Sequence, residues 1–381
     1  MAKKKWVKAR HGVVRGVIRP FVYAFAKTKV KLNKKDLELE KNQPCLVCYN
    51  HQTNFDPFLV GLTMGKRKFY YVASEHIFSK GFVSSLLKYF IAPIPFMKSG
   101  VNTSSIMNCG RVVREGASIV ISPEGNRTYT GETTSIKDTI VKFVRFLKVP
   151  LVLINIKGNY SCRPRWAKSK RKGEVSVEPV KIIKKEEYDN LTDDELLKVI
   201  KEKLYVNESF DGKAYKNKKK NNAEYLERFL YVCPNCGIVH FKSKGSSVTC
   251  SKCGLTANID DYKKFSGVSF ETLKDWGDYQ QEFIKNFDDT NEIIKDTVNL
   301  YLNEREKGKK KLMDGETLSL YIDKMLIKDK EFNFNDISGM DVVGDNAIYF
   351  HFENKTYRID GGERFNAIKY VDFYNKFKGE N

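Results

Sequence analysis

Between residues 36 and 210, short apolar or β-branched runs alternate with segments of helical periodicity. After the last of these runs, a capping box of Thr192 and Glu195 predicts the start of a further helix. Strands are predicted, with helices between them, at 46–49, 69–73, 92–96, 118–121 and 151–156. This alternation is typical of a layered fold. We therefore predict an α/β fold with a mostly parallel sheet flanked by helices.

Positive charge is concentrated at the start of the chain. The formal net charge is +20, and no acidic residue precedes Asp36. Such a surplus indicates an anionic partner. On charge alone, that partner is a membrane phospholipid, a nucleic acid or an acidic carrier protein.

The best candidate for a membrane span is 12–26, but Arg15, Arg19 and Pro20 interrupt it. The segment is too short and too charged for a transmembrane helix, and it lacks the features of a signal peptide. Two interpretations are open: an amphipathic helix that lies on an anionic membrane, or a helix that packs on the protein's own core. We assign 1–35 as a basic, membrane-associating segment. Its apolar residues fall at helical spacing, at Val13, Val14, Val17, Ile18, Phe21, Val22 and Phe25.

A histidine and an aspartate follow the strand predicted at 46–49. His51 and Asp56 cannot share one helix face, because five residues rotate by about 500°. They can meet if His51 lies in the loop before a helix whose N-cap is Thr53 or Asn54. Asp56 would then accept the Nδ1 proton of His51 and leave Nε2 as a base. The alternative is that His51 caps the helix and Asp56 responds only to its dipole.

A Pro-Glu-Gly-Asn-Arg turn follows the strand predicted at 118–121. Gly125 permits close backbone approach, and the planar guanidinium of Arg127 suits phosphate oxygens. Glu124 can position Arg127 or part of the substrate, and Lys98 is a second candidate phosphate contact. These residues predict a pocket for a phosphorylated substrate.

Four sequence blocks resemble, in order and spacing, those of the glycerolipid acyltransferase family. The resemblance spans residues 15–205 and is greatest to 1-acylglycerol-3-phosphate acyltransferases. It implies that 36–210 is an acyltransferase domain. The blocks are Asn50-His51-x4-Asp56, Pro95-Phe96-Met97-Lys98, Ser122-Pro123-Glu124-Gly125-Asn126-Arg127 and Val149-Pro150-Leu151.

The resemblance implies transfer of a fatty acyl group to the sn-2 hydroxyl of 1-acyl-glycerol-3-phosphate, which gives phosphatidic acid for phospholipid biosynthesis. The donor would be an acyl carrier protein or coenzyme A thioester, and no catalytic metal is implied. The expected partners are an anionic membrane surface, lysophosphatidic acid and an acidic acyl carrier protein, rather than nucleic acid. The expected location is the cytoplasmic face of the cell membrane, as a peripheral or monotopic protein.

The same resemblance assigns roles to residues. His51 would be the catalytic base and Asp56 its partner, while donors near the start of the following helix would stabilise the tetrahedral oxyanion. The implied substrate-binding residues are Asn50, Lys98, Glu124, Gly125, Asn126 and Arg127.

Two Cys-x-x-Cys-Gly knuckles occupy one short segment in the second half of the chain. Four thiolates at this spacing resemble a zinc ribbon and close a tetrahedral site, so we expect a structural Zn²⁺ ion. We assign 230–256 to this ribbon and 211–229, before it, to a basic linker or exposed helix. The predicted ligands are Cys233, Cys236, Cys250 and Cys253.

Residues 257–381 are predicted to form a helical segment and then a small α+β domain. Helices are expected at 270–287 and 291–304. Hairpins between 342 and 359 and a closing helix at 364–377 resemble a pleckstrin-homology-like domain.

Three residues depart from the acyltransferase pattern. Lys98 replaces the usual arginine, which keeps the charge but loses the bidentate fork. Ser122 replaces the usual phenylalanine, and Asn126 the usual threonine or serine. Because Ser122 and Asn126 lie in the acceptor-binding block, a different lyso-lipid acceptor stays open. The other alternative is a non-catalytic protein that binds lipid or nucleic acid through its zinc ribbon.

Overall fold

The computed structural model describes residues 5–29, 31–40, 42–74, 82–96, 102–304 and 308–379. The described residues form two compact units. The first unit contains those up to residue 165 together with 172–208, and the second contains 166–171 and 209–379.

The first unit alternates strands and helices along most of its length, as predicted. Its helices are α1 (Ala9–Lys29), α2 (Asp56–Thr63), α3 (Phe82–Phe90), α4 (Thr103–Arg114), α5 (Thr139–Leu147), α6 (Asn159–Cys162), α7 (Lys185–Asp189) and α8 (Asp193–Leu204). Its strands are β1 (Lys31–Lys34), β2 (Leu46–Tyr49), β3 (Phe69–Ser74), β4 (Ile94–Phe96), β5 (Ser118–Ile121), β6 (Leu151–Lys157) and β7 (Glu174–Ile183).

The strands of the first unit form one sheet in the order β1-β7-β6-β2-β5-β3-β4. The five strands from β6 to β4 are parallel, whereas β7 is antiparallel to β6 and pairs in parallel with β1. The mostly parallel sheet flanked by helices is thus confirmed. Every residue of β2 is buried, as are the first six of β6, because helices cover both faces of a central parallel strand. Val112 of α4, Val144 of α5 and Ile200 of α8 pack in the same core.

In helix α1, two arginines face the protein, and several large apolar side chains face solvent. Arg15 donates to the carbonyl of Phe69 at 3.0 Å and Arg19 to that of Leu62 at 3.2 Å, and His11 is buried on the same side. The opposite side exposes Val13 (66 %), Val17 (59 %) and Phe21 (71 %). These two sets diverge because each residue advances about 100° around a helix. Among the described ranges of the chain, no helix has both the length and the apolar composition to cross a bilayer.

The second unit is largely antiparallel. Its helices are α9 (Leu273–Lys285) and α10 (Ile368–Lys378), with 3₁₀ turns at Leu226–Arg228 and Phe334–Asp336. Its shorter strands are β8 (Val232–Cys233), β9 (Gly237–Ile238), β10 (Phe241–Lys244), β11 (Ser247–Cys250), β12 (Thr256–Ile259) and β13 (Phe265–Ser266). The later strands are β14 (Ile294–Glu304), β15 (Gly308–Leu320), β16 (Lys324–Ile327), β17 (Lys330–Asn333), β18 (Ile337–Val343), β19 (Ala347–Phe352) and β20 (Lys355–Asp360).

Two antiparallel sheets account for most of these strands. One has the order β10-β11-β12-β13, and the other has the order β17-β16-β15-β14-β20-β19-β18. Helix α10 packs against β18 and β19 of the larger sheet. The hairpins and closing helix predicted after residue 342 are present, while the pleckstrin-homology-like resemblance stays a prediction.

Two local predictions were wrong. The helix expected at 291–304 is strand β14, in which Ile294, Val298 and Leu300 are buried at even spacing, as strand alternation requires. The segment 211–229 is neither a solvated linker nor an exposed helix, because Tyr215 and Leu226 have at most 1 % exposure. Its lysines are exposed between buried anchors, which is why composition alone suggested a linker.

Candidate active site

Three adjacent strands of the first unit deliver polar residues to one edge of the sheet. His51 follows the end of β2, Glu124 follows β5, and Asn159 follows β6. Strand β2 lies between β6 and β5, and all three are parallel. The crevice beyond the carboxyl ends of parallel strands is where open α/β sheets hold their ligands. The topology thus brings together residues that are far apart in sequence.

His51 and Asp56 are in contact, as predicted. Nδ1 of His51 lies 2.8 Å from Oδ2 of Asp56. The Asp56 side chain is fully buried, whereas 20 % of the His51 side chain is exposed. A proton on Nδ1 directed at the carboxylate fixes the tautomer and makes Nε2 the basic nitrogen. The pair has the arrangement of a general base with its orienting carboxylate.

Asp56 also organises the turn before α2. Its Oδ2 accepts hydrogen bonds from the backbone N–H groups of Gln52 at 2.5 Å and Thr53 at 2.8 Å. Phe55, and not Thr53 or Asn54, is the N-cap residue of α2. Thr53 still contributes, because its Oγ1 accepts from the N–H of Phe55 at 2.9 Å.

This turn leaves few donors for an oxyanion. The N–H groups of Gln52, Thr53 and Phe55 donate to acceptors in the turn, and that of Asp56 donates to the Thr53 carbonyl at 3.3 Å. The N–H of His51 donates to Glu124. The carboxylates of Asp56 and Glu124 and the acceptors of Thr53 occupy these five N–H groups, and stabilisation of an oxyanion by donors near the helix start stays a prediction.

Glu124 holds the loop of His51. Its Oε1 accepts from the His51 N–H at 2.5 Å, and its Oε2 accepts from the N–H and hydroxyl of Thr134 at 2.7 and 2.9 Å. Burial raises the pKa of the Glu124 carboxyl from 4.5 to about 7, although the hydrogen bonds from Thr134 and His51 oppose this. These contacts join β5 to the loop after β2, while the predicted role of Glu124 in substrate binding stays a prediction.

Asn50 was also predicted to bind substrate, and its position contradicts this. The side chain is 1 % exposed. Its Oδ1 accepts from the N–H of Ile156 at 2.7 Å, and its Nδ2 donates to the carbonyl of Ile156 at 2.9 Å. Asn50 thus extends the pairing of β2 with β6 by one side-chain bridge.

The remaining predicted substrate contacts lie on the turn after β5 or beyond it. Gly125 is exposed with φ +73°, a conformation that glycine adopts without strain. Asn126 is half-buried. Arg127 is 9 % exposed, and its carbonyl accepts from Arg165 at 3.0 Å. Lys98 lies outside the described residues.

Sequence reasoning missed three polar residues that surround this centre. Asn159 donates to Asp56, Thr134 donates to Glu124, and Glu208 accepts from Gln52. The one signal available in the sequence was the position of Asn159, which follows a predicted strand as His51 does. Thr134 and Glu208 lie in irregular segments that carry no such signal.

The four ribbon cysteines converge in the second unit. Their sulfur atoms all lie within 4.8 Å of one another, and Sγ of Cys233 is 3.7 Å from Sγ of Cys253. Tetrahedral zinc with Zn–S bonds of about 2.3 Å separates its sulfur atoms by about 3.8 Å. The donor set therefore fits a Zn²⁺ ion.

The second unit also contains a cavity of about 600 Å³. Lys369, which is 1 % exposed, lies on its wall and pairs with Asp296 at 2.5 Å. Arg364, on the same wall, pairs with Glu224 and Glu227. These two cations are each paired with carboxylates of the second unit.

Known proteins provide an independent comparison. Residues 30–157 match the model of the Acyltransferase family. The structure is similar to a crystal structure of the 1-acyl-sn-glycerophosphate (LPA) acyltransferase PlsC from Thermotoga maritima, with 18 % sequence identity and a TM-score of 0.40. That similarity covers 49 % of this chain and 77 % of PlsC, and at this level it does not extend to the reaction or the substrate. No protein of curated function matches significantly. Residues 30–157, the segment that matches the Acyltransferase family model, include His51, Asp56 and Glu124.

Proposed function

We propose that this protein transfers a fatty acyl group from a thioester to the sn-2 hydroxyl of 1-acyl-glycerol-3-phosphate. The contact between His51 and the fully buried Asp56, at the carboxyl end of the sheet, carries the proposal. The family match supports acyl transfer, and the phosphate-suited turn after β5 supports this acceptor. The donor is an acyl carrier protein or coenzyme A thioester.

His51 begins the reaction by accepting the proton of the acceptor hydroxyl at Nε2. The resulting alkoxide attacks the thioester carbonyl to form a tetrahedral intermediate. Collapse of that intermediate breaks the carbon–sulfur bond, and the imidazolium returns its proton to the departing thiolate. Asp56 stabilises the imidazolium through the hydrogen bond at Nδ1, and general-base catalysis of this kind contributes about 10²- to 10⁴-fold.

The acceptor phosphate is assigned to the turn after β5. Gly125 exposes backbone there, and Arg127 and Lys98 are the proposed cationic contacts. Binding a remote phosphate orients the hydroxyl toward His51, which converts binding energy into rate. Asn126 takes the place of the usual hydroxyl residue and defines the acceptor together with these groups.

The proposed location is the cytoplasmic face of the cell membrane, on an anionic surface. The exposed side of α1 ends at Phe25, which lies 5.6 Å from Phe55 between ring centroids. Phe55 stacks in turn on Phe58 at 5.4 Å, and Phe58 is 44 % exposed. Exposed apolar side chains therefore run from α1 to the turn that follows His51. A surface of this kind suits a lipid boundary, where both substrate tails reside.

A structural Zn²⁺ ion is proposed at Cys233, Cys236, Cys250 and Cys253. Four thiolates leave no open position on tetrahedral zinc, so the ion would stabilise the small strands around it. No step of the reaction passes through this site.

The test is thiol release from an acyl thioester in detergent, with lysophosphatidic acid or monoacylglycerol as acceptor. We expect release with lysophosphatidic acid, little with monoacylglycerol, and a loss of about 10²-fold or more in His51→Ala. His240→Ala, which alters a histidine of the second unit, is the matched control. Near-normal transfer by folded His51→Ala would contradict the mechanism. Equal rates with both acceptors would contradict the phosphate assignment. No release by the unaltered protein with any lyso-lipid would favour a binding protein.

A further inference from the structure

A buried amide lies behind the carboxylate of Asp56. Nδ2 of Asn159 donates to Oδ1 of Asp56 at 2.6 Å and to Oγ1 of Thr53 at 2.8 Å. Asn159 is 6 % exposed and Asp56 is 0 % exposed. While Oδ2 of Asp56 faces His51, Oδ1 is thus held from the opposite side. The rotation of this carboxylate is fixed by Asn159 as well as by its own turn.

A second carboxylate holds Asn159 in place. Oε1 of Glu208 accepts from the side-chain amide of Gln52 and from the N–H of Gly158 at 2.6 Å. Its Oε2 accepts from the N–H of Ser161 at 3.1 Å and from the Ser161 hydroxyl at 2.8 Å. Gly158 immediately precedes Asn159 and Ser161 lies two residues after it, so Glu208 fixes the first turn of the short helix α6.

Gln52 closes the connection between these groups. Its Oε1 accepts from the N–H groups of Asn159 at 3.2 Å and Tyr160 at 3.1 Å, while its amide donates to Glu208. The backbone of Gln52 donates to Asp56. One continuous path of hydrogen bonds therefore joins Glu208 to Asp56 and His51.

This network is almost free of solvent. Gln52 is 1 % exposed and Glu208 is 2 % exposed. Burial raises the pKa of the Glu208 carboxyl, against the hydrogen bonds from Ser161 and Gln52. A buried polar network rigidifies its surroundings when every member is satisfied, and it is costly when one member is lost. Removing one acceptor of Glu208 should therefore disturb its neighbours.

Backbone pairing of residues 207 and 208 with residues 131 and 132 places Glu208. After α8, the N–H of Glu208 donates to the carbonyl of Gly131 at 3.0 Å, and Asn207 bridges to Glu132. Gly131 has φ +96°, and a Cβ there would lie 2.7 Å from the ring of Tyr160. Asn159 and Glu208 both lie beyond the residues that match the family model, which end at 157.

We propose that Asn159 and Glu208 are positioning residues of the acyl-transfer centre, and that they hold Asp56 in the orientation His51 requires. The proposal rests on the proposed function of His51 and Asp56. Neither residue touches the substrate; both act through Gln52, Thr53 and Asp56. It follows that the catalytic domain functionally extends to residue 208.

The experiment compares Glu208→Gln and Asn159→Ala with two controls in the full-length protein. Glu208→Gln keeps the size of the side chain but presents an NH₂ group to N–H donors. Glu202→Gln, on the exposed side of α8, is its control, since the Glu202 side chain is 58 % exposed. Asn155→Ala, a buried asparagine of β6, is the control for Asn159→Ala.

Two measurements are made on each variant. In the substrate-free protein, proton NMR should show the hydrogen-bonded Nδ1 proton of His51 weakened or shifted in the two test variants and unchanged in the controls. With substrates, kcat should fall roughly ten- to hundredfold in the test variants while KM for lysophosphatidic acid changes little, because orientation and not binding is lost.

The outcomes separate the two proposals. An undisturbed imidazole signal with normal kcat in folded Glu208→Gln and Asn159→Ala would overturn the positioning role. Near-normal transfer by His51→Ala would overturn the catalytic role of His51, whatever the imidazole signal shows. If Glu208→Gln does not fold, Asn159→Ser is measured instead, since serine is too short to reach Asp56 and is expected to give the same two changes.

Discussion

Glu124 should make the stability of the protein depend on pH. Its carboxyl has a pKa of about 7 in the folded protein, against 4.5 ordinarily, so it binds its proton more tightly when folded. The contribution of this group to stability is therefore full below pH 4.5 and is lost as the pH rises to about 7. We expect Glu124→Gln to remove this component, which thermal unfolding between pH 4 and pH 8 would measure.

The comparison for Glu124→Gln is Glu202→Gln, a change of the same chemistry on an exposed side chain. That variant should keep the pH dependence of the unaltered protein. If Glu124→Gln shows the same pH dependence as Glu202→Gln, Glu124 does not hold its proton in this way.

For single residues, a contact could be predicted from the sequence only when the two partners are close together in the chain. His51 and Asp56 are five residues apart, so turn geometry alone predicted their contact. Gln52 and Glu208 are 156 residues apart, and Asn159 and Asp56 are 103 apart. Only the pairing of β6 beside β2 brings these groups together. Asn50 was misassigned for the same reason, because its partner Ile156 lies on that neighbouring strand.

Helix α1 leads to a prediction about membrane binding. We expect the double variant Val17→Ser and Phe21→Ser to bind anionic phospholipid vesicles at least tenfold more weakly, because each apolar side chain contributes about 1.5–3 kcal/mol when buried. Co-sedimentation with vesicles measures the loss.

The matched double variant for α1 is Leu312→Ser and Tyr262→Ser in the second unit, which removes two exposed apolar side chains elsewhere. It should bind vesicles as the unaltered protein does. Equal weakening in both double variants, or no change in the first, would contradict a membrane-facing α1.

For helices and strands, the periodicity of apolar residues predicted the type of element correctly where the whole segment lies in one environment. It predicted the helices and strands of the parallel sheet and the hairpins near the end of the chain. It failed for β14, whose alternation of Ile294, Val298 and Leu300 is interrupted by polar residues that fit a helix equally well. For α1 it predicted the apolar stripe, but it could not show that Arg15 and Arg19 face the protein.

For the whole molecule, zinc is expected to determine the stability of the second unit. Elemental analysis should find one zinc per chain, lost in Cys253→Ser and kept in Cys109→Ala, a buried cysteine of the first unit. Removal of the metal by a chelator should lower the melting temperature, because a closed tetrathiolate site contributes directly to folding. A chain that contains no zinc yet melts at the same temperature would contradict this role.

The boundary between the two units was harder to predict from the sequence than the kind of structure within each unit. The motifs predicted an α/β part and a cysteine-rich part. The basic composition of 211–229 concealed that Tyr215 and Leu226 are buried anchors of the second unit. A lysine-rich segment resembles a linker in composition even when the fold buries the few apolar residues that it contains.

The inward arginines of α1 have a practical consequence. With Arg15 bound to the backbone of β3 and Arg19 to that of α2, this helix exposes large apolar side chains to water at Val13, Val17 and Phe21. In aqueous buffer, two molecules can remove these apolar side chains from water by packing their α1 helices against each other. We therefore expect the purified protein to be an aggregating species without detergent and a monodisperse one in nanodiscs, a contrast that light scattering would reveal.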